Sequence, residues 1–329
     1  MRVLLAGKIR TGTACRARTQ NKAANVSMSW RRFQTPFYIC VVLWAGFGFA
    51  PGAVAQQDSR VVAAIPGIQE AIRKSGVDVG VAFRTLDGKA EWFFRADEPF
   101  HAASTMKIPV LIELFHQARE GKLGLDDPLL VKNEFHSLVD GSIYTLDPAD
   151  DSEVDLYKAA GQTRTLRQLC ELMITVSSNL ATNLLIEKLG VDNIRATVHS
   201  LHADGMNVLR AVEDGKAFGK GLNNTTTARG LEQLLNAIAL GDAVDAEASR
   251  EMIEILERQK FNEGIPAGLP PGTRVAHKTG EITKIHHDAA IVFAQRPFVL
   301  VILVRGLADT KVSAALMADI TRQLYQATQ

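Results

Sequence analysis

Three short clusters of polar residues have the types and spacing that amide chemistry needs. The first is Ser104-Thr105-Met106-Lys107. A serine hydroxyl is a poor nucleophile until a neighbouring base takes its proton, and a lysine three residues further along a helical segment lies on the same face. The second is Ser177-Ser178-Asn179, a hydroxyl and a carboxamide two residues apart between two apolar helical runs. The third is Lys278-Thr279-Gly280, which closes a strand-like run. It offers a cation and a hydroxyl to a carboxylate, with a glycine that lets another backbone come close. Taken singly, each has an ordinary reading as a helix start, a helix cap or a turn.

The elements that must hold these clusters follow from periodicity. Helical spacing covers Val61–Lys74, and alternation covers Val77–Arg84 and Ala90–Phe94 on either side of Asp87-Gly88, a hairpin signal. Helical patterns then dominate: Thr105–Glu120, Leu166–Val176, Asn179–Leu189, Val191–Leu201 and Thr226–Leu240. Strand character returns at Arg274–Lys278, Asp288–Ala294 and Phe298–Val304, before a long amphipathic helix over Lys311–Gln326. Sheet at both ends with helices between predicts an α+β fold of two lobes. One is an antiparallel sheet drawn from about 56–100 and 255–329, and the other an inserted helical lobe over about 101–254. Ligands usually bind in the cleft between such lobes.

Together and in this order, the three clusters resemble those of the class A β-lactamases and their penicillin-recognising relatives. The likeness covers most of residues 60–329, and Phe100, four residues before Ser104, also looks like the family's approach to its nucleophile. The resemblance implies that Ser104 attacks the lactam carbonyl to form an acyl-enzyme while Lys107 shuttles the proton. Ser177 would pass a proton to the departing nitrogen, and Asn179 would hold the substrate's side-chain amide. Lys278 and Thr279 would bind the carboxylate, and the backbone N–H groups of Ser104 and Glu281, just past Gly280, would form the oxyanion hole. Glu213 lies 36 residues after Ser177, where the family carries its deacylating glutamate. It sits in Leu209–Lys216, leading to Asn223-Asn224-Thr225-Thr226-Thr227, which resembles the end of the family's omega loop. The likeness implies no cofactor and a small β-lactam or peptidoglycan-like substrate.

Several positions depart from the pattern. Ser178 stands where the family usually has Asp, and Ala217 where an asparagine helps to hold the deacylating water. The loop's closing Asp is Asn223 or Asn224, and residues around Phe135–Leu156 form an insertion. These changes leave acylation expected and put efficient hydrolysis in question. The alternative is therefore a D,D-peptidase or another serine hydrolase of the same fold. A third reading, a non-enzymatic receptor acylated once, would require a membrane-spanning segment and a cytoplasmic partner segment.

Composition sets the frame. With 37 Lys+Arg, 36 Asp+Glu, 47% hydrophobic and 22% charged residues, the 329-residue chain is neither disordered nor a nucleic-acid binder. The charge is unevenly placed, because residues 1–55 hold eight basic and no acidic residues. Pro36–Ala55 reads as a secretory signal peptide behind Arg31-Arg32, with cleavage after Ala53-Val54-Ala55. Its apolar core, Phe37–Ala50, is shorter than the ~20 residues of a membrane span. Translation is expected to start at Met28. The arginine pair invites twin-arginine export, but Phe33 follows it without a spacer. The expected product is an exported, periplasmic or secreted catalytic domain of residues 56–329, monomeric and without stable membrane association. Losing the leader takes its net charge from +1 to −7. Cys170 is then its one cysteine, read as a packing residue in Leu166–Met173. His286-His287-Asp288 is not read as a metal site, since adjacent strand residues face opposite ways. Asp126-Asp127 and Asp147–Glu153 are read as solvated acidic loops.

Overall fold

The sheet is assembled from the two ends of the region after the leader, as the alternating patterns predict. The computed structural model describes residues 58–307 and 309–329, so the leader, its apolar run and the expected cleavage site lie outside the described residues. Five strands, β1 (Asp78–Thr85), β2 (Glu91–Phe94), β3 (Arg274–Ile282), β4 (Ile285–Phe293) and β5 (Phe298–Arg305), pair antiparallel in the order β2-β1-β5-β4-β3. The central strand β5, FVLVILVR, is apolar at nearly every position, as burial on both faces demands. Leu300, Ile302 and Val304 meet Ile68, Ile72, Ile320 and Leu324 on helices α1 (Ser59–Ser75) and α8 (Thr310–Thr328). Val299, Val301 and Leu303 face a second core.

That second core belongs to the intervening helices α2 (Lys107–Arg119), α3 (Leu166–Thr175), α4 (Asn179–Leu189), α5 (Val191–Ser200), α6 (Ala228–Leu240) and α7 (Ala246–Glu257). Helix α2 is buried along almost its whole length, which explains why its first turns, Ile108–Ile112, are apolar on every face and why even Lys107, Glu113 and Gln117 are buried. Cys170 lies in this core as a free, buried thiol, and burial pushes its ionisation up. The fold is α+β, as expected.

Three details differ from the sequence reading. Helix α7 was missed because AEASREMIEILE alternates charge with a narrow apolar stripe of Ala248, Met252, Ile255 and Leu256. Strand β3 runs past Lys278 to Ile282, so Lys278-Thr279-Gly280 lies within an edge strand and not at its end. The insertion is folded: Phe135–His136 pairs with Ile143–Tyr144, followed by a 3₁₀ turn at Pro148–Asp150 and a helical turn at Val154–Lys158. Asp126 and Asp127 are exposed, as expected of a solvated loop. Within Asp147–Glu153, however, Asp151 is buried, so that stretch is not a solvated patch throughout.

Candidate active site

Ser104 sits in a 3₁₀ turn, Ala103–Met106, that runs directly into α2. The 3₁₀ period of three stacks residues i and i+3, so Ser104 and Lys107 share a face more closely than α-helical spacing requires. Ala103 adopts φ 45°, a left-handed conformation that non-glycine residues seldom take. Ser177 and Glu213 share this trait, both at φ 61°. Strained backbone next to the predicted nucleophile and at the predicted proton donor and base is what a preorganised site displays.

Lys107 is fully buried, and its Nζ donates to Ser177 O at 2.7 Å, Asn179 Oδ1 at 2.9 Å and Ser177 Oγ at 3.1 Å. Lys278, equally buried, donates to the same Ser177 Oγ at 3.1 Å and to Thr279 O at 2.9 Å. The Ser177 hydroxyl thus accepts from two amines, which leaves its own hydrogen free to be donated elsewhere. Burial brings the Lys107 amine down to about 7, against the attraction of Asp151 and Glu213. A neutral lysine amine keeps two donors and gains a lone pair, so at this value Lys107 can accept a proton near neutrality. Lys278 is pushed well below its ordinary range, by burial first and by Lys107 second, with Asp288 opposing.

Glu213 reaches the same group from the loop. Its Oε1 accepts from Asn179 Nδ2 at 2.5 Å, so the Asn179 amide links Lys107 to Glu213. Glu213 itself is exposed to solvent. Partial burial raises its carboxyl, as do Asp151 and Asp150, while the Asn179 bond and Lys107 pull it down. The residues on either side of Glu213 are held by the insertion. Tyr144 Oη donates to Val212 O at 3.2 Å, while Ser137 Oγ and Leu138 N donate to the Asp214 carboxylate at 2.9 and 2.8 Å. Asn183 adds two bonds to Val212, 2.7 Å to its N–H and 3.0 Å to its carbonyl.

The loop's neck closes by a bridge between Asn207 and Thr225. Of the two candidate closing residues, Asn224 does the work: Oδ1 accepts from Leu209 N and Arg210 N, and Nδ2 donates to Arg210 O. Asn223 meets only the Arg210 guanidinium, at 3.3 Å. Ala217 is fully buried and offers no side-chain hydrogen bond.

Strand β3 supplies the opposite wall. Gly280 packs so tightly on the Ser104 turn that a Cβ there would stand 3.1 Å from both Ser104 N and Thr105 N. This close approach brings the backbone at Glu281 alongside the nucleophile. Ser104, Ser177, Asn179, Thr279 and Glu281 line one cleft of about 980 Å³. The structure therefore brings all nine predicted positions together, counting Lys107, Lys278, Gly280 and Glu213.

Other groups go elsewhere. His286 meets Ser313 Oγ, His287 donates Nε2–H to His101 O, and Asp288 pairs with His277. Among the described residues no cluster could hold a metal ion, and no helix is long and apolar enough to cross a membrane. Sequence reasoning missed Asp151 and Tyr157, which meet beside the Ser177 turn. The one available signal was that Tyr144 and Tyr157, two of four tyrosines in the chain, flank the acidic stretch.

Comparison with known proteins places the chain in a family. The profile of the Beta-lactamase enzyme family matches residues 65–328. A β-lactamase of Streptomyces albus G is 27% identical over 294 residues, covering 85% of this chain and 87% of that protein. One of Bacillus licheniformis is 27% identical over 241 residues, 71% and 74% of the two chains. Among solved structures, a β-lactamase from Sphaerobacter thermophilus superposes with a TM-score of 0.68 at 27% identity, over 82% of this chain and 97% of that one. PBP-A gives 0.70 at 27% identity, over 80% and 95%. A profile spanning most of the chain, on a shared fold whose cleft gathers the expected polar groups, leads to one conclusion: the chain belongs to the β-lactamase enzyme family and is a hydrolase of serine β-lactamase type.

Proposed function

We propose that the protein is an exported class A-type serine β-lactamase that opens the lactam amide through an ester on Ser104. The observation that carries this reading is the buried Lys107 amine, three residues on from Ser104 and tied to Ser177 and, through Asn179, to Glu213. In the proposed cycle Lys107, as the neutral amine, takes the Ser104 proton while Ser104 Oγ bonds to the lactam carbon. The oxyanion falls to the N–H groups of Ser104 and Glu281. The lactam C–N bond breaks as Ser177, its hydrogen unclaimed by either lysine, protonates the nitrogen; its proton is replaced from Lys107. Glu213 then takes a proton from water as that water attacks the ester; the ester C–O bond breaks as this same proton passes by way of Lys107 to Ser104, which leaves Glu213 ionised again. The substrate carboxylate gives Lys278 a direct anionic contact, and Thr279 adds a hydroxyl. The protein acts as a monomer, without a cofactor.

Time-resolved intact mass with a penicillin tests this. Native protein should show a short-lived adduct and many turnovers, Ser104→Ala none, and Glu213→Ala a lasting adduct. Turnover retained in Ser104→Ala refutes the assignment. A second reading, a D,D-peptidase, is favoured by Ala217, which gives the deacylating water no side-chain partner. It is also in keeping with PBP-A, a variant of which was solved as an acyl-enzyme complex with penicillin G. A lasting adduct on native protein would select it.

A further inference from the structure

The insertion delivers a carboxylate to a turn whose own motif has none. Asp151 Oδ2 accepts from the backbone N–H groups of Asn179 and Leu180, both at 2.9 Å, from Tyr157 Oη at 2.8 Å and from Ser178 Oγ at 3.4 Å. Ser178 Oγ takes Ala181 N, and Ser178 O takes Thr182 N, so the four N–H groups that open α4 are all satisfied. Capping alone does not require a charge, since Ser and Asn cap as well as Asp. The helix N-terminus does favour one, and the buried amine of Lys107 lies against the same turn.

We propose that Asp151 is a positioning residue of this active site. Its buried carboxylate fixes the Ser177–Asn179 turn and supplies the negative charge that balances Lys107, a task the Ser178 position leaves open. The groups acting on Lys107 come from three elements. Asp151, from the insertion, is its largest charge partner; Glu213 attracts it from the loop; and Lys278 faces it from β3, its own charge favoured by Asp288. Asp151 and Asp150 also oppose ionisation of Glu213, and Tyr157, pushed up by burial and by its bond to Asp151, remains a donor.

This inference rests on reading Lys107 as the base for Ser104, and its test keeps the two separable. Asp151→Asn preserves shape and an acceptor oxygen while removing the charge. Lysine labelled with ¹³C at Cε reports the Lys107 titration directly by NMR, without any turnover. In Asp151→Asn the Lys107 midpoint is expected to fall by about one pH unit. The acid limb of Ser104 acylation by penicillin should move the same way, with the melting temperature little changed. The double variant Asp151→Asn/Ser178→Asp, which returns a carboxylate to the adjoining backbone position, should restore the midpoint. A Lys107 midpoint in Asp151→Asn that superposes on the native one overturns the proposal. If that variant does not fold, the double variant decides: a near-native midpoint supports the proposal, and one displaced by a unit or more overturns it. Native protein that titrates as expected but is never acylated refutes the functional reading alone.

Discussion

A methyl group added at Gly280 probes the contact between β3 and the turn that carries Ser104. The new Cβ would stand 3.1 Å from Ser104 N, Thr105 N and Thr105 Cγ2, where ordinary contact begins at 3.4 Å, so a gap of a few tenths of an ångström must open. Both sides are pinned. Gly280 is in register with His287 on β4, and the turn is held by Ala102 N to Asn224 O, Ala103 N to His101 Nδ1 and Thr105 Oγ1 to Ala102 O. Gly280 is not among the residues with positive φ, so alanine strains nothing in its own backbone and the whole effect is steric. Overpacking of this kind costs about 1–3 kcal/mol, or a few degrees in Tm. The displacement falls on the two N–H groups assigned to the oxyanion. Losing one such donor outright lowers rates about 10²–10³-fold, so a partial shift should slow acylation about 10- to 100-fold, roughly 1.4–2.7 kcal/mol of barrier. Stopped-flow acylation with a chromogenic cephalosporin, alongside a thermal melt, measures both. A lowered Tm with acylation within twofold of native would refute the oxyanion assignment, since the strain would then have gone elsewhere.

Other outcomes follow from the same geometry. Asp214→Ala removes the acceptor for Ser137, Leu138 and Ala217 beside Glu213; deacylation should slow about tenfold or more while acylation stays within a few-fold, read from the lifetime of the penicilloyl adduct by mass. Because only the neutral Lys107 amine takes a proton, acylation should rise with pH through about 7, and a pH-independent rate from 5 to 9 would exclude it as the base. The same depression makes stability rise between about 7 and 10.5, where the unfolded chain binds the extra proton; Lys107→Met should flatten that rise in denaturant titrations. Lys278→Met should lower acylation by carboxylate-bearing β-lactams about 10- to 100-fold more than that by the corresponding esters, since both lose its bond to Ser177 but only the former lose a charge-assisted bond as well.

What could be foreseen divides along a physical line. The β5 run, the α4 boundaries and the Ser104–Lys107 spacing depend on local pattern, and the structure reproduces them. Asp151 could not be foreseen, because burial of a loop carboxylate is decided by a contact with a helix 28 residues away. The same holds for Ser137 and Tyr144, whose partners lie 77 and 68 residues on. Where β3 ends was misread because Glu281 and Ile282 look like a turn until β4 is seen to pair with them. Asn223 and Asn224 were indistinguishable as neighbours of one composition; only one of them faces the loop's neck.

The pairing of β1 with β5 also bears on when this protein becomes competent. Asp78 meets Arg305 across 227 residues, and Lys278 reaches Ser177 across 101. Contacts this distant in sequence form late and slowly. A growing chain that already carries Ser104, Lys107 and Asn179 has neither the central strand nor the second lysine. The proposed site is therefore completed only near the end of folding, and partly synthesised chains are expected to stay inert towards β-lactams.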